Sequence, residues 1–336
     1  MKFGLIVTRY PYGGAEKQAL EFAEFLYQNG HVADILALEN KSSIKIGNIK
    51  IVGLGLFPLG LSARKFIKYL IYIYSLRRAI KDNYHVLITY PQNYFLKLVA
   101  GRHVLKIMSI RMFYPNTINY FRKIMLQTYD LVITNNLPQY SLLHAVNVKS
   151  VLMSNKVKDV QQEHRNLNAN KKYLIVSNIK RRKNLEVALN AFGTLVEQGF
   201  RLSIAGIIED EKYYHELKDQ AHNNEKIQFI GYRSQNELRI LYQSVEGVVH
   251  TSKREGAANV IFEAMACGVP VIVYRIPENI SLIENKKEFL FEDASELRKR
   301  ILYLHNAVKN EEQWLYNYID MQIEKTKQIY GGNDYN

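Results

Sequence analysis

The chain of 336 residues has one cysteine, Cys267, so no intramolecular disulfide can form, and no Cys/His cluster has zinc-ligand spacing. A reducing cytosol is the expected compartment. Runs of about 18 consecutive apolar residues, the length needed to cross a bilayer, are also missing. The nearest, Phe66–Leu76, is too short and carries Lys68. The amino terminus lacks a signal peptide's apolar region and small-residue cleavage site, so the mature protein is expected to start there. Acidic residues are the scarcer charge, 32 against 45 Lys plus Arg, a net charge of +13. That balance suits polyanionic partners such as phosphorylated substrates or anionic lipid. No recognised nucleic-acid-binding module accompanies it, and no nucleic-acid partner is expected.

The basic residues are not evenly spread. Ala63–Lys81 places Arg64, Lys65, Lys68, Arg77, Arg78 and Lys81 around an aromatic and aliphatic middle. One reading is an interfacial helix on an anionic membrane surface, peripheral to the inner face of the cell membrane. The other is a core helix with basic ends.

Hydrophobic periodicity predicts two βα series. Phe3–Thr8 reads as a strand, the Pro/Gly stretch Tyr10–Gly14 as a turn, and Ala15–Asn29 as a helix closed by Gly30. His31–Leu38 returns as a strand, making a βαβ unit and hence a parallel sheet. Further strands are expected at His85–Thr89, Val104–Ile110 and Asp130–Thr134. The polar stretch Ser154–Lys172 reads as an interdomain connection. A second series then alternates strands at 173–179, 201–206, 227–232 and 247–252 with helices at 184–198, 211–222 and 235–243. The expected domains are 1–165 and 171–310, with an amphipathic helix at 311–330 packed on a domain surface. Fold class is α/β with two doubly wound sheets.

The stretch Arg254–Tyr274 holds Glu255 and Glu263 with seven residues between them. Its first residues form a loop at the carboxyl end of a parallel strand, where open α/β sheets bind ligands. The helix that follows presents free N–H groups that favour phosphate. Two carboxylates suit such a place only if they accept from hydroxyls, which sugars and ribose supply. No G-x-G-x-x-G follows either first strand, since Gly13-Gly14-Ala15-Glu16 lacks the spacing, so a Rossmann-type dehydrogenase is kept only as an alternative.

EGAANVIFEAMACGVPV resembles the E-x7-E motif of the retaining glycosyl transferases group 1 family, and GGAE at Gly13–Glu16 resembles that family's segment after its first strand. VSNIKRRKNLEVALNAF and FIGYRSQNELRILYQS are similar to its donor-binding segments. The resemblance implies a GT-B fold, two Rossmann-like domains facing a cleft, and transfer of a sugar from a nucleotide diphosphate donor to a glycan or lipid-linked glycan acceptor. It implies that Glu263 accepts ribose hydroxyls, and that Glu255 holds hydroxyls of the transferred sugar near its anomeric carbon. It places the N–H groups of Gly256, Ala257, Ala258, Asn259 and Val260 against sugar and pyrophosphate. Lys183, beside Arg182, would neutralise the diphosphate, with Gly13 and Gly14 close to it. No metal or other cofactor is expected, because no D-x-D stands at a strand end. Two departures are visible. Asn178 occupies the position where many relatives carry an arginine. The region of Ser109 and Arg111 lacks a histidine that many relatives place near the sugar. A GT-B epimerase or noncatalytic relative is the nearer alternative to a transferase.

Overall fold

The computed structural model describes residues 1–8, 10, 14–55, 73–74, 76–80, 83–90, 96–110, 118, 120–135, 137–152, 168–222, 224–254, 259–283 and 286–330. The chain divides into two compact units, Met1–Met153 and Ser154–Asn336.

In the first unit, β1 (Lys2–Val7) leads through α1 (Gly14–Gln28) to β2 (Val32–Ala37), paired in parallel with β1. The helix ends as a Schellman motif at Gly30, whose φ of 74° suits glycine. Its signature is the pair of bonds from Gly30 N–H to the Tyr27 carbonyl and from His31 N–H to that of Leu26. The hairpin β3 (Ile44–Ile46) and β4 (Ile49–Gly53) follows, then β5 (Val86–Thr89), α2 (Leu96–Val99) and β6 (Leu105–Ile110). The unit closes with α3 (Tyr120–Leu126), β7 (Leu131–Thr134), α4 (Leu137–Ala145) and β8 (Ser150–Leu152). Strand order is β3-β4-β2-β1-β5-β6-β7-β8, parallel except for β3 against β4.

Continuous apolar strands follow from burial on both faces. Leu5 and Val7 enter one core cluster with Ile35 and Ala37, while Ile6 enters the other with Leu36 and Leu38. The hairpin and β8, which periodicity did not predict, lie at the sheet's two edges. Most of Ala63–Lys81 lies outside the described residues. At its described end, helical residues 76–80 bury Leu76 and Ile80 in the core and expose Arg77 and Arg78. Among the described residues, no helix is long and apolar enough to cross a membrane.

The second unit begins with β9 (Lys172–Val176), a 3₁₀ turn at Arg181–Lys183 and α5 (Leu185–Leu195). Next come β10 (Arg201–Ala205), α6 (Glu211–Gln220), β11 (Ile227–Gly231), α7 (Gln235–Ser244) and β12 (Gly247–His250). The chain continues through α8 (Asn259–Ala266), β13 (Val271–Tyr274), α9 (Pro277–Leu282), β14 (Leu290–Phe291), α10 (Ala294–Lys309) and α11 (Gln313–Tyr330). Side chains cap several of these helices: Asp210 on α6, Asp293 on α10, and a Ser234/Glu237 capping box on α7. Gly268, with φ of 66°, ends α8 in a second Schellman motif. Helix α11 buries Leu315, Tyr318 and Ile319 in this unit's core, with the Tyr318 ring stacked on Phe289, and packs against α8.

All strands of this sheet are parallel, in the order β11-β10-β9-β12-β13-β14. Strand order therefore reverses between β9 and β12. At such a switch point, successive connections leave toward opposite faces and their loops part, which creates the crevice where open α/β sheets take ligands. At the opposite, amino-terminal edge, Glu246 is fully buried. Its carboxylate accepts from Lys171 N–H at 2.8 Å and Tyr173 OH at 3.2 Å, and contacts His305 Nδ1 at 2.9 Å. Burial, then the Glu246 charge, pushes the Tyr173 phenol well above its usual range, so it stays a donor.

Candidate functional site

Two loops meet at the switch point, Ser177–Asn184 after β9 and the segment from Thr251 after β12. Thr251 Oγ1 donates to the Lys183 carbonyl at 2.6 Å, and Asn184 Nδ2 reaches the Thr251 carbonyl at 3.4 Å. Arg182 donates from a guanidinium nitrogen to the Arg254 carbonyl at 2.9 Å. The segment leading to Glu255 is thus fastened to the turn that carries Lys183.

The shape of the first loop is set locally. Asn184, 3% exposed, takes the left-handed conformation with φ of 53°, which asparagine tolerates better than most residues. It separates the 3₁₀ turn from α5. Tyr213 OH accepts the first α5 N–H, from Leu185, at 2.9 Å and bonds the Glu186 carboxylate. Arg181 lies over the Tyr213 ring and donates to both oxygens of Glu216 at 2.6 and 2.7 Å.

Lys180 and Asn178 both bond Glu209 on the loop after β10, the lysine at 2.6 Å. Burial opposes the Glu209 charge, but the bonds from Lys180 and Asn178 outweigh it and the carboxyl lies below its usual value. Lys180 and Arg181 are therefore engaged by acids of their own unit. Asn178, at the position where the resemblance would put an arginine, belongs to that same network.

Gly206 brings the β10 loop against the β9 loop, because a Cβ there would stand 2.0 Å from the Ser177 carbonyl oxygen. Gly206→Ala must displace backbone, and should cost about 1 to 3 kcal/mol of the second unit's stability. Denaturant titration followed by Trp314 fluorescence reads this, and an unchanged midpoint would refute the close approach.

Asn259 and Val260 are the first residues of α8, and Glu263 follows about one turn in. Glu263 is half-buried and accepts from Tyr242 OH at 3.1 Å. The Tyr242 phenol is raised well above its usual range by burial and by Glu263. Glu255, Gly256, Ala257, Ala258, Gly13 and Arg111 lie outside the described residues, while Gly14 is the first residue of α1. Ser109 is 2% exposed on β6, and its hydroxyl has no hydrogen-bond partner among the described residues. No group of three or more potential metal ligands occurs among the described residues.

The structure thus brings Lys183, Arg182, Thr251 and Asn184 together. Sequence reading missed Thr251, Tyr213, Glu209 and Tyr242. Tyr242 lies four residues after Leu238 on the buried face of α7, and its spacing reads as core.

Parallel strands in this order, with a helix amino terminus and paired loops at the reversal, define a doubly wound Rossmann-like protein. Residues 157–319 match the family model described as Glycosyl transferases group 1. An uncharacterized glycosyltransferase of Methanocaldococcus jannaschii is 30% identical over 117 residues, 34% of this chain and 30% of that protein. A probable sucrose-phosphate synthase of Thermosipho melanesiensis is 31% identical over 120 residues, 34% of this chain and 28% of that protein. The matched stretch spans less than a third of either relative.

Solved structures align over the whole fold. S. aureus TarM, crystallised as a mutant with Fondaparinux, alpha-GlcNAc-glycerol and UDP, gives a TM-score of 0.74 at 14% identity, covering 98% of both chains. Sucrose-phosphate synthase of Thermosynechococcus elongatus gives 0.76 at 16% identity, covering 98% of this chain and 94% of that one. Anabaena HepE, crystallised with UDP and glucose, gives 0.71 at 15% identity, covering 98% and 95%. The fold is GT-B, as the resemblance implied.

Proposed function

We propose that this protein is a retaining glycosyltransferase, which moves a hexosyl or N-acetylhexosaminyl unit from a nucleotide diphosphate sugar to a hydroxyl of a growing, lipid-linked cell-surface glycan. The observation that carries the reading is the fastening of the Lys183 turn to the Glu255 segment at the switch point of a Rossmann-ordered sheet. The leaving diphosphate would be met by the Lys183 ammonium and by N–H groups at the start of α8, without a metal. Glu263 would take the ribose hydroxyls, and Glu255 those of the sugar beside its anomeric carbon. Gly13 and Gly14 would let backbone approach the diphosphate.

Arg182 is assigned here to hold the loop through the Arg254 carbonyl, since its guanidinium already donates there. Solved neighbours described with UDP, with UDP and glucose, and with UDP and GlcNAc support a UDP-sugar as the first donor to test. The lipid-linked acceptor rests on the basic and aromatic stretch Ala63–Lys81. Its work would then lie at the inner face of the membrane, reached without a spanning helix.

A panel of nucleotide sugars, scored by thermal stabilisation and by acceptor-dependent release of nucleotide diphosphate, tests the reading. Release that ignores the acceptor and returns an epimerised donor would replace it with an epimerase. In the same assay, Lys183→Ala and Glu263→Ala should each weaken donor binding by about 1 to 3 kcal/mol, because each leaves a charged or hydroxyl group of the donor without its partner. Unchanged nucleotide affinity in both variants, measured by calorimetry, would reject the site.

A further inference from the structure

We propose that Tyr242 is a positioning residue that fixes the Glu263 carboxylate for a ribose diol. The inference rests on the reading of Glu263 as the ribose-binding group. Tyr242 sits in the last turn of α7 and is 1% exposed, so its ring is part of the second unit's core. Side chains of a helix tilt toward its amino terminus, which allows this long side chain to rise from the end of α7 to α8. Its hydroxyl meets Glu263 Oε2 at 3.1 Å.

A phenylalanine would fill the same core space. A buried hydroxyl is costly unless bonded, so the oxygen on this ring calls for an explanation beyond packing. Its described bond is to the one carboxylate of α8. Among the described residues Tyr242 is the hydrogen-bond partner of Glu263. A glutamate side chain has three rotatable bonds and loses that freedom when a ligand pins it. With Oε2 already held from the core side, the carboxylate is oriented before the ligand arrives, and Oε1 remains to accept from adjacent hydroxyls. The phenol is pushed well above its ordinary range by burial and by Glu263, so it acts as a donor at neutral pH. Tyr242 touches no substrate in this arrangement. Its effect passes through Glu263, and therefore depends on the ligand having ribose hydroxyls.

The test is calorimetric binding of UDP, and of GDP in parallel, with each nucleotide's 2′,3′-dideoxy form, to the full-length wild type, Tyr242→Phe, Glu263→Ala and the double variant. Tyr242→Phe should bind the ribonucleotide about tenfold more weakly, the usual scale for a bond to a charged acceptor. It should bind the dideoxy form as the wild type does. Donor KM should rise by a similar factor with a smaller change in kcat, and adding Tyr242→Phe to Glu263→Ala should weaken binding no further. If Glu263→Ala loses ribonucleotide affinity while Tyr242→Phe keeps it, the positioning role is overturned and the ribose site stands. If Tyr242→Phe weakens ribonucleotide and dideoxynucleotide equally, the tyrosine is merely structural and the inference fails. If Glu263→Ala itself binds the ribonucleotide as tightly as the wild type, the ribose reading and this inference fall together.

Discussion

Glu255→Gln should lower kcat by about 10²- to 10³-fold, the usual scale for removing one group aimed at developing charge in the transition state. Nucleotide affinity should stay within about twofold, since the proposed contact is with the transferred sugar and not with the nucleotide. Glutamine keeps the size and hydrogen-bonding reach of the side chain and removes its charge. The anomeric carbon gains positive charge as the diphosphate departs, and a carboxylate beside it favours that state over the ground state. The structural support lies one residue earlier, where Arg182 holds the Arg254 carbonyl and Thr251 holds the Lys183 turn. Steady-state turnover measured beside calorimetric nucleotide binding separates the two quantities. Near-normal kcat in a folded variant would reduce Glu255 to a loop acid.

The second large effect is on stability and lies at the other edge of the same sheet. Glu246→Ala should cost about 3 to 5 kcal/mol, because it removes the common acceptor of three buried or half-buried groups. Lys171 N–H, Tyr173 OH and His305 would each lose a bond of 2.8 to 3.2 Å. Glu246 itself is 0% exposed, and the gap left by alanine is too enclosed to restore those bonds cheaply. Glu246→Gln, which keeps one acceptor oxygen, should lose less. The only tryptophan, Trp314, packs in this unit, so its fluorescence during denaturant unfolding reports on the right half of the chain. A loss below about 1 kcal/mol would mean that water or a shifted neighbour replaces the carboxylate. Glu246 is far from the proposed chemistry in the fold's own terms, at the strands' amino-terminal edge, so nucleotide affinity in the surviving folded fraction should not change.

Much of the architecture was legible from the chain. Strands β1 and β5 carry runs of consecutive apolar residues, Phe3–Val7 and Val86–Ile88, because both faces of a parallel sheet are covered. Helices such as Gly14–Gln28 showed an apolar stripe and a closing glycine, signals that act within a few residues and survive in the sequence. The strands missed were of another kind. The hairpin Ile44–Ile46 with Ile49–Gly53, and the short strands Ser150–Leu152 and Leu290–Phe291, lie at sheet edges. The outermost strands among them, β3, β8 and β14, have one neighbour, so their apolar patterns are short and weak.

The site divides in the same way. The spacing of Glu255 and Glu263 and the lysine between a strand and a helix are local, and sequence alone determined them. Tertiary structure decided where the neighbouring cations are held. In the run KRRK, Lys180 is engaged by Glu209 and Arg181 by Glu216, 29 and 35 residues onward. It decided that Arg182 spans 72 residues to a carbonyl, that Thr251 secures the Lys183 turn, and that a core tyrosine on α7 holds the α8 carboxylate. Each of these depends on strand order, which sets β9 beside β12 and thereby puts two distant loops at one switch point. Periodicity records which face of an element is buried. Which element lies next to it follows only from the pairing of strands far apart in the chain.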